Sequence, residues 1–292
     1  MQRVRKVVFP VAGLGTRVLP AAKAVPKEML PVVDRPVIEY AVEEARAAGL
    51  EAFIFVTGRG KSAIEDHFDR AAELEALLEA KGKSKELAEV RRCQPPAGSL
   101  VYTRQPQPLG LGHAVWCARA FVQDEPFAVA LPDDLIRAET PCLKQLLDAH
   151  AEVGGNVVAV IDVPKDQTAR YGILDVTADD GRLAAAQGLV EKPAPEDAPS
   201  TLSIIGRYIL DPAVMRALDT QQAGHGGEIQ LTDALAATIH EVPFHGLRFQ
   251  GERFDCGNKA GYVEATLQFA LDNPETAEAT RAAMRRMIAL ED

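Results

Sequence analysis

The run Val11-Ala12-Gly13-Leu14-Gly15-Thr16-Arg17, closely followed by Pro20, Pro26 and Pro31, constrains the fold more than any other part of the chain. It comes directly after a β-rich stretch at residues 4–9. Its glycines let the backbone approach a ligand with N–H groups turned toward phosphate oxygens, so an anion-binding loop is expected. A dinucleotide fold would also place an acid near Asp34, but it needs a third glycine where Val18 stands. It further needs a long helix opened by the loop, and the three prolines break one. Another near-match, Gly58-Arg59-Gly60-Lys61-Ser62, ends like a phosphate-binding P-loop but has Phe55 in place of its first glycine. A turn into the next helix is the expectation there.

β-rich runs at residues 4–9, 53–57, 100–104, 127–131, 157–163 and 203–210 alternate with helical patterns, which implies a layered α/β fold. Val37, Ile38, Ala41, Val42 and Ala45 repeat at helical spacing up to Gly49. Ala114, Val115, Ala118 and Phe121 do the same after Gly112, and both helices are expected to pack on the sheet. Residues 69–87 are rich in Ala, Leu, Glu and Lys and read as a mostly helical insertion projecting from the core, ended by Pro95, Pro96 and Gly98. Pro193, Pro195 and Pro199 mark a second irregular region. From Asn258 the chain reads as helical to Phe269, breaks at Pro274 and resumes to Leu290, with Met284, Met287 and Ile288 as apolar contacts for its own domain or a neighbouring subunit. The organisation expected is one domain over residues 1–292, with a helical insertion at about 69–98 and a C-terminal helical extension at about 258–292.

Charge and cysteine usage narrow the partners. With 32 Lys and Arg against 42 Asp and Glu, the net charge of -10 argues against general affinity for nucleic acid or anionic membranes. No stretch approaches the roughly 18 apolar residues of a membrane span, and no charged segment leading into an apolar one opens the chain. Cys93, Cys117, Cys142 and Cys256 are widely spaced and suit reduced thiols rather than a zinc site or a disulfide framework. A cytoplasmic protein is expected.

The glycine loop gains meaning from its continuation into Pro26-Lys27-Glu28-Met29-Leu30-Pro31. Other pieces follow in order: Arg104-Gln105 with Gly110-Leu111-Gly112-His113-Ala114-Val115, Leu131-Pro132-Asp133-Asp134, Tyr171-Gly172-Ile173, Val190-Glu191-Lys192-Pro193, Gly206-Arg207-Tyr208, and Phe254-Asp255-Cys256-Gly257-Asn258-Lys259. This ordered set resembles the sugar-1-phosphate nucleotidyltransferase family, and within it the members that use UTP and glucose 1-phosphate. The resemblance implies a Rossmann-like α/β domain with a mixed, mainly parallel sheet. It also implies Mg²⁺-assisted, in-line formation of UDP-glucose with release of pyrophosphate.

Joining two phosphate-rich substrates requires local neutralisation of charge. The resemblance gives that task to Arg17, a forked donor to phosphate oxygens, and to Lys27, a point charge beside the reacting phosphates. It places the uracil on the backbone of Ala12 and Gly13 and the triphosphate over the loop that contains Gly15. Gln105 and Gly110 would read the base edge, an amide offering both a donor and an acceptor. Gly172, Glu191 and Lys192 are assigned to the sugar phosphate. Asp133 and Asp255, 122 positions apart, are assigned to Mg²⁺, whose hard oxygen preference suits carboxylates and phosphates. Asp134 is left out, because neighbouring strand residues point to opposite faces. His113 is expected to hydrogen-bond near a helix start rather than act as a base, since an ionised phosphate oxygen needs no proton removed. Where the family often has Ser-Asn-Leu, this chain has Ser200-Thr201-Leu202.

The rivals are a relative using dTTP or another hexose 1-phosphate, and a non-catalytic regulatory relative. Retention of Arg17, Lys27, Asp133, Lys192 and Asp255 counts against the latter. A homodimer or homotetramer is expected from the apolar positions of the terminal helix.

Overall fold

Val7, Val8 and Phe9 are consecutive apolar residues, as a strand covered on both faces requires. All three are fully buried in β1 (Lys6–Pro10). Val7 and Phe9 join one core with the helices Val37–Ala47 and Cys142–Val153, while Val8 joins a second core with the helices Leu111–Trp116, Ala213–Thr220 and Leu231–Thr238. The sheet is therefore the middle of three layers. The structure, a computed structural model, describes residues 2–220 and 222–289. The last positions of the expected C-terminal extension, 290–292, lie outside them.

The main sheet adds β2 (Ala52–Thr57), β3 (Leu100–Arg104), β4 (Phe127–Ala130), β5 (Asn156–Asp162), β6 (Gly172–Asp179), β7 (Leu183–Glu191), β8 (Leu202–Leu210) and β9 (Phe244–Arg248). Its order is β3-β2-β1-β4-β8-β5-β9-β7-β6. The first four strands in that order are all parallel, in register Val8 with Ile54, Val8 with Val129, and Ile54 with Val101. Direction reverses between β4 and β8, and beyond that point only β5 and β9 are parallel neighbours. The sheet is mixed and mainly parallel, as expected: among the described residues seven of its nine strands run the same way, and β8 and β7 run against them.

Departures from expectation have local causes. The helix expected to end at Phe121 is split into Leu111–Trp116 and Arg119–Val122. The break at Ala118 rotates Val122 into the core and leaves Phe121 40% exposed. The helical insertion comprises Ala72–Ala80 and Ser84–Arg92 and is entered from the Ser62–Phe68 helix. It is tied back to the Val37–Ala47 helix by Arg92, which donates to both Glu39 and Glu43, and at its entry by His67 at 3.0 Å from Glu39. The C-terminal pair is Lys259–Asp272, capped by the Asn258 side chain accepting from Gly261 N, and Ala277–Ile288. Ala265 is buried beside Val32, Leu135 and Phe254, and Phe269 packs on Tyr40, so the first of these helices covers its own domain. Met284 is half-buried, whereas Met287 and Ile288 are exposed.

Candidate active site

The carboxyl ends of β3, β2, β1 and β4 lie side by side, and loops leaving them carry most of the expected residues. This is the crevice where open α/β sheets bind ligands. After β1, Val11 N still donates to Val56 O at 3.0 Å before the chain turns away. Gly15 has φ +67, and a Cβ on it would stand 3.1 Å from Ala22 Cβ and 3.2 Å from Lys27 Cβ, so a side chain is excluded twice over. Only a short 3-10 turn, Thr16–Val18, follows. The prolines thus replace a long helix by a chain of tight turns, as read from the sequence.

Those turns deliver Lys27. The adjacent Glu28 points the other way, into a buried ion pair with Lys61 at 2.7 Å. Lys61 thus anchors the Pro26-Lys27-Glu28 turn from below, and the P-loop-like stretch around it is a turn into the Ser62–Phe68 helix. Lys27 Nζ donates to Asp133 Oδ2 at 2.5 Å. Burial pushes the Asp133 carboxyl up, but Lys27 and then Arg17 pull it below the ordinary range. Burial lowers the Lys27 ammonium, yet Asp133 and Glu28 carry it above its usual value. Both partners are charged.

Asp255 reaches the same point from far along the chain. It ends the strand Glu252–Asp255, which pairs antiparallel with Asp134–Arg137, and Cys256 N donates to Asp133 O at 2.8 Å. Asp255 Oδ1 accepts from Gly257 N at 2.9 Å. A Cβ on Gly257 would lie 2.9 Å from Asp133 Oδ2, 2.9 Å from Asp255 Oδ1 and 3.4 Å from an Arg17 terminal nitrogen. Two carboxylates and a guanidinium therefore converge on one bare backbone carbon. Asp134 faces the opposite way, accepting from Gly206 N at 2.8 Å and from Arg253.

The turn that carries Asp133 rests on Arg207, which is 1% exposed. Its guanidinium donates to the carbonyls of Leu131, Gly206 and Asp134 and twice to Glu44 Oε2. The shape of the carboxylate turn is thus set by a fully buried charge with every contact filled.

Beyond this seam lies a cavity of about 460 Å³ lined by Arg17, Asp133, Asp255, Gly172, Glu191 and Lys192, among others. Gly172 opens β6 and Glu191 closes β7, paired across the hairpin. A Cβ on Gly172 would approach Thr232 Oγ1 to 3.1 Å and Glu191 Oε2 to 3.3 Å. Thr232 Oγ1 donates to Glu191 Oε2 at 2.7 Å, and Lys192 Nζ lies 3.2 Å from Glu191 Oε1. Lys192 holds φ +46, a strained value for a side-chain-bearing residue and one that collects at functional sites.

The expected residues thus fall into two groups. Ala12, Gly13, Gly15, Gln105 and Gly110 lie outside the cavity, along the β1–β3 side. Gln105 N donates to Thr57 O at 2.9 Å, which holds Gln105 at the end of β3. Sequence reading missed Arg170, Tyr171, Glu228, Gln230, Thr232 and Arg253, all of which line the cavity. One signal was present: Glu228, Gln230 and Thr232 are polar residues clustered around the start of the Leu231–Thr238 helix, for which Gln230 is the N-cap. Thr201, at the departure from the Ser-Asn-Leu pattern, is absent from the lining. A larger cavity, about 930 Å³, lies between the insertion and the C-terminal helix, but none of the expected site residues lines it.

Residues 6–271 match the nucleotidyl transferase family. The chain belongs to that family. As a nucleotidyl transferase it is 52% identical over 256 residues to the UTP–glucose-1-phosphate uridylyltransferase of Komagataeibacter xylinus, covering 88% of this chain and 90% of that one. A solved UTP-bound UGPase from Acinetobacter baumannii superposes with TM-score 0.88 at 44% identity, covering 96% of this chain and 98% of that one. A UDP-glucose pyrophosphorylase complexed with UDP-glucose gives TM-score 0.83 at 39% identity, covering 92% of this chain and 100% of that one. Nucleotidyl transferases of this kind generally use a divalent metal. The donor set fits one: two carboxylates face a glycine whose missing side chain leaves room between them. No group of three or more Asp, Glu, His or Cys side chains that could hold a metal ion occurs among the described residues. No helix among the described residues is long and apolar enough to cross a membrane.

Proposed function

We propose that this nucleotidyl transferase converts UTP and glucose 1-phosphate to UDP-glucose and pyrophosphate, in one domain spanning residues 1–292. The observation that carries the reading is the meeting of Arg17, Asp133 and Asp255 at Gly257, between the glycine loop and the cavity of Gly172, Glu191 and Lys192. Uracil rests on the Ala12 and Gly13 backbone with Gln105 and Gly110 at its edge, and the triphosphate lies over Gly15 and Arg17. Glu191 accepts from sugar hydroxyls, Gly172 lets the sugar approach the backbone, and Lys192 holds the sugar phosphate.

A phosphate oxygen of glucose 1-phosphate attacks the α-phosphorus of UTP. The bond from that phosphorus to the β-phosphate bridge breaks, and its electron pair leaves on pyrophosphate. The nucleophile is already ionised, so the protein positions it and offsets charge rather than removing a proton. Lys27 and Arg17 do this with positive charge. When bound, Mg²⁺ held by Asp133 and Asp255 supplies further neutralisation of phosphate oxygens.

The setting proposed is the cytoplasm, in keeping with four free thiols. A homodimer or homotetramer is proposed from the apolar side chains that the C-terminal helices leave uncovered: Val263, Leu267, Met287 and Ile288 are 56%, 38%, 65% and 61% exposed. Light scattering that returns a 31.5 kDa particle at micromolar concentration would remove the oligomer. For the reaction, pyrophosphate release is measured with UTP, Mg²⁺ and glucose 1-phosphate, leaving out each in turn. Release must require all three, and release without the sugar phosphate would sink the assignment.

A further inference from the structure

Gln105 carries its amide in a defined orientation. Nε2 donates to the carbonyl oxygen of Gly110 at 3.0 Å, and because a carbonyl can only accept, this contact identifies the amide nitrogen. The same nitrogen stands 3.0 Å from His113 Nδ1. That ring nitrogen must therefore be the unprotonated acceptor, and the imidazole proton sits on Nε2, facing Cys117 Sγ at 4.0 Å. The ring plane is fixed by stacking on Trp116, with centroids 5.7 Å apart and 24° between planes. Trp116 is in turn held by its indole N–H on Asp219 and by the Arg119 guanidinium 3.5 Å over its face. Burial and then Arg119 lower the His113 pKa, which keeps the ring neutral and its Nδ1 lone pair available.

We infer that His113 is a positioning residue for base selection: together with Gly110 it holds both amide hydrogens of Gln105, leaving Oε1 as the face presented to the nucleobase. The inference rests on the reading of Gln105 as the base contact. An acceptor complements the N3–H of uracil or thymine and opposes cytosine, whose N3 is itself an acceptor. A reversed amide would suit cytosine, but it would set Oε1 against the Gly110 carbonyl and the His113 lone pair. The device selects the protonation of the base at N3 and is indifferent to a methyl group at C5.

The test measures kcat/KM for UTP and for CTP at saturating glucose 1-phosphate in the wild type, His113→Leu, His113→Asn and Gln105→Ala. His113→Leu should lower the UTP-to-CTP ratio by about tenfold, the weight of one ordinary hydrogen bond. His113→Asn, whose Oδ1 can accept in place of Nδ1, should restore much of the ratio. Merely structural damage would lower both nucleotides together. Unchanged UTP use in Gln105→Ala overturns the base-contact reading. A UTP defect in Gln105→Ala with an unaltered ratio in His113→Leu overturns only the inference about His113. If His113→Leu does not fold, nitrogen NMR of the wild-type imidazole decides: a proton on Nε2 supports the inference, and one on Nδ1 overturns it.

Discussion

The proposed nucleotide side and the proposed sugar side of the site meet at Gly257 but are built from different backbone. On the nucleotide side four parallel strands end together, and the ligand is offered glycine-rich turns with little side-chain cover: Leu14 is 69% exposed. On the sugar side an antiparallel hairpin and the first turn of the Leu231–Thr238 helix bring side chains that contact one another, Thr232 on Glu191 and Glu191 on Lys192. As proposed, the first side would bind largely through main-chain groups of the glycine loop, supplemented by the Gln105 and Arg17 side chains. The second would bind through a side-chain network, in which each residue's position depends on its neighbours.

The strongest test of that division is at the seam, which belongs to both sides. Asp133→Asn and Asp255→Asn should each lower single-turnover rates by about 100- to 1,000-fold, the range for removing one preorganised electrostatic contact. The double variant should lose far less than the product of the two defects. Additive losses across a Mg²⁺ titration would mean that the carboxylates do not share an ion.

Next come the two cations that should separate the sides. Lys192→Ala should raise the glucose 1-phosphate KM by about 10- to 150-fold, the span for a hydrogen bond to a charged group, with UTP binding unchanged. Arg17→Ala should do the reverse. Loss of UTP binding in Lys192→Ala would erase the boundary drawn between the two sides.

Gln105→Ala sharpens the nucleotide side alone. It should cost about 1 to 3 kcal/mol in kcat/KM for UTP and leave glucose 1-phosphate binding intact. A matching sugar-phosphate defect would show that the sides communicate.

The smallest effect is on acid stability. Burial lowers the pKa of His113, and likewise of His150 and His245, from 6.5. Each folded-state value lies below its unfolded value, so the folded protein takes up protons later than the unfolded chain as pH falls. Their stabilising contribution is complete above about pH 6.5 and is lost as pH drops from there through the folded values. Thermal unfolding followed from pH 7.5 to 5 should show Tm falling with pH in that window, about level above it. A flat profile would mean that all three rings open to solvent together.

The nucleotide side was the more legible in sequence, for physical reasons. Glycines forced by φ or by close approach, as at Gly15, and prolines that forbid a helix leave local marks. The parallel strands, buried on both faces, read as continuous apolar runs. The β6/β7 hairpin left little trace, because Ala184-Ala185-Ala186-Gln187-Gly188 has the composition of a helix or a loop rather than a strand. Thr232 and Arg253 matter through partners distant in sequence, so no local spacing marks them. Arg207 stood within a quoted motif, yet its work beneath the Asp133 turn became visible only once three carbonyls and Glu44 were seen around it.

Gly257 has one further consequence. A methyl group there would occupy the point where both carboxylates and Arg17 converge, so the chain would carry its own blocker at the place proposed for a cation. Both substrate surfaces would remain in Gly257→Ala, and the two would be seated side by side without reacting. One added carbon would turn a catalyst into a trap for its own reactant pair.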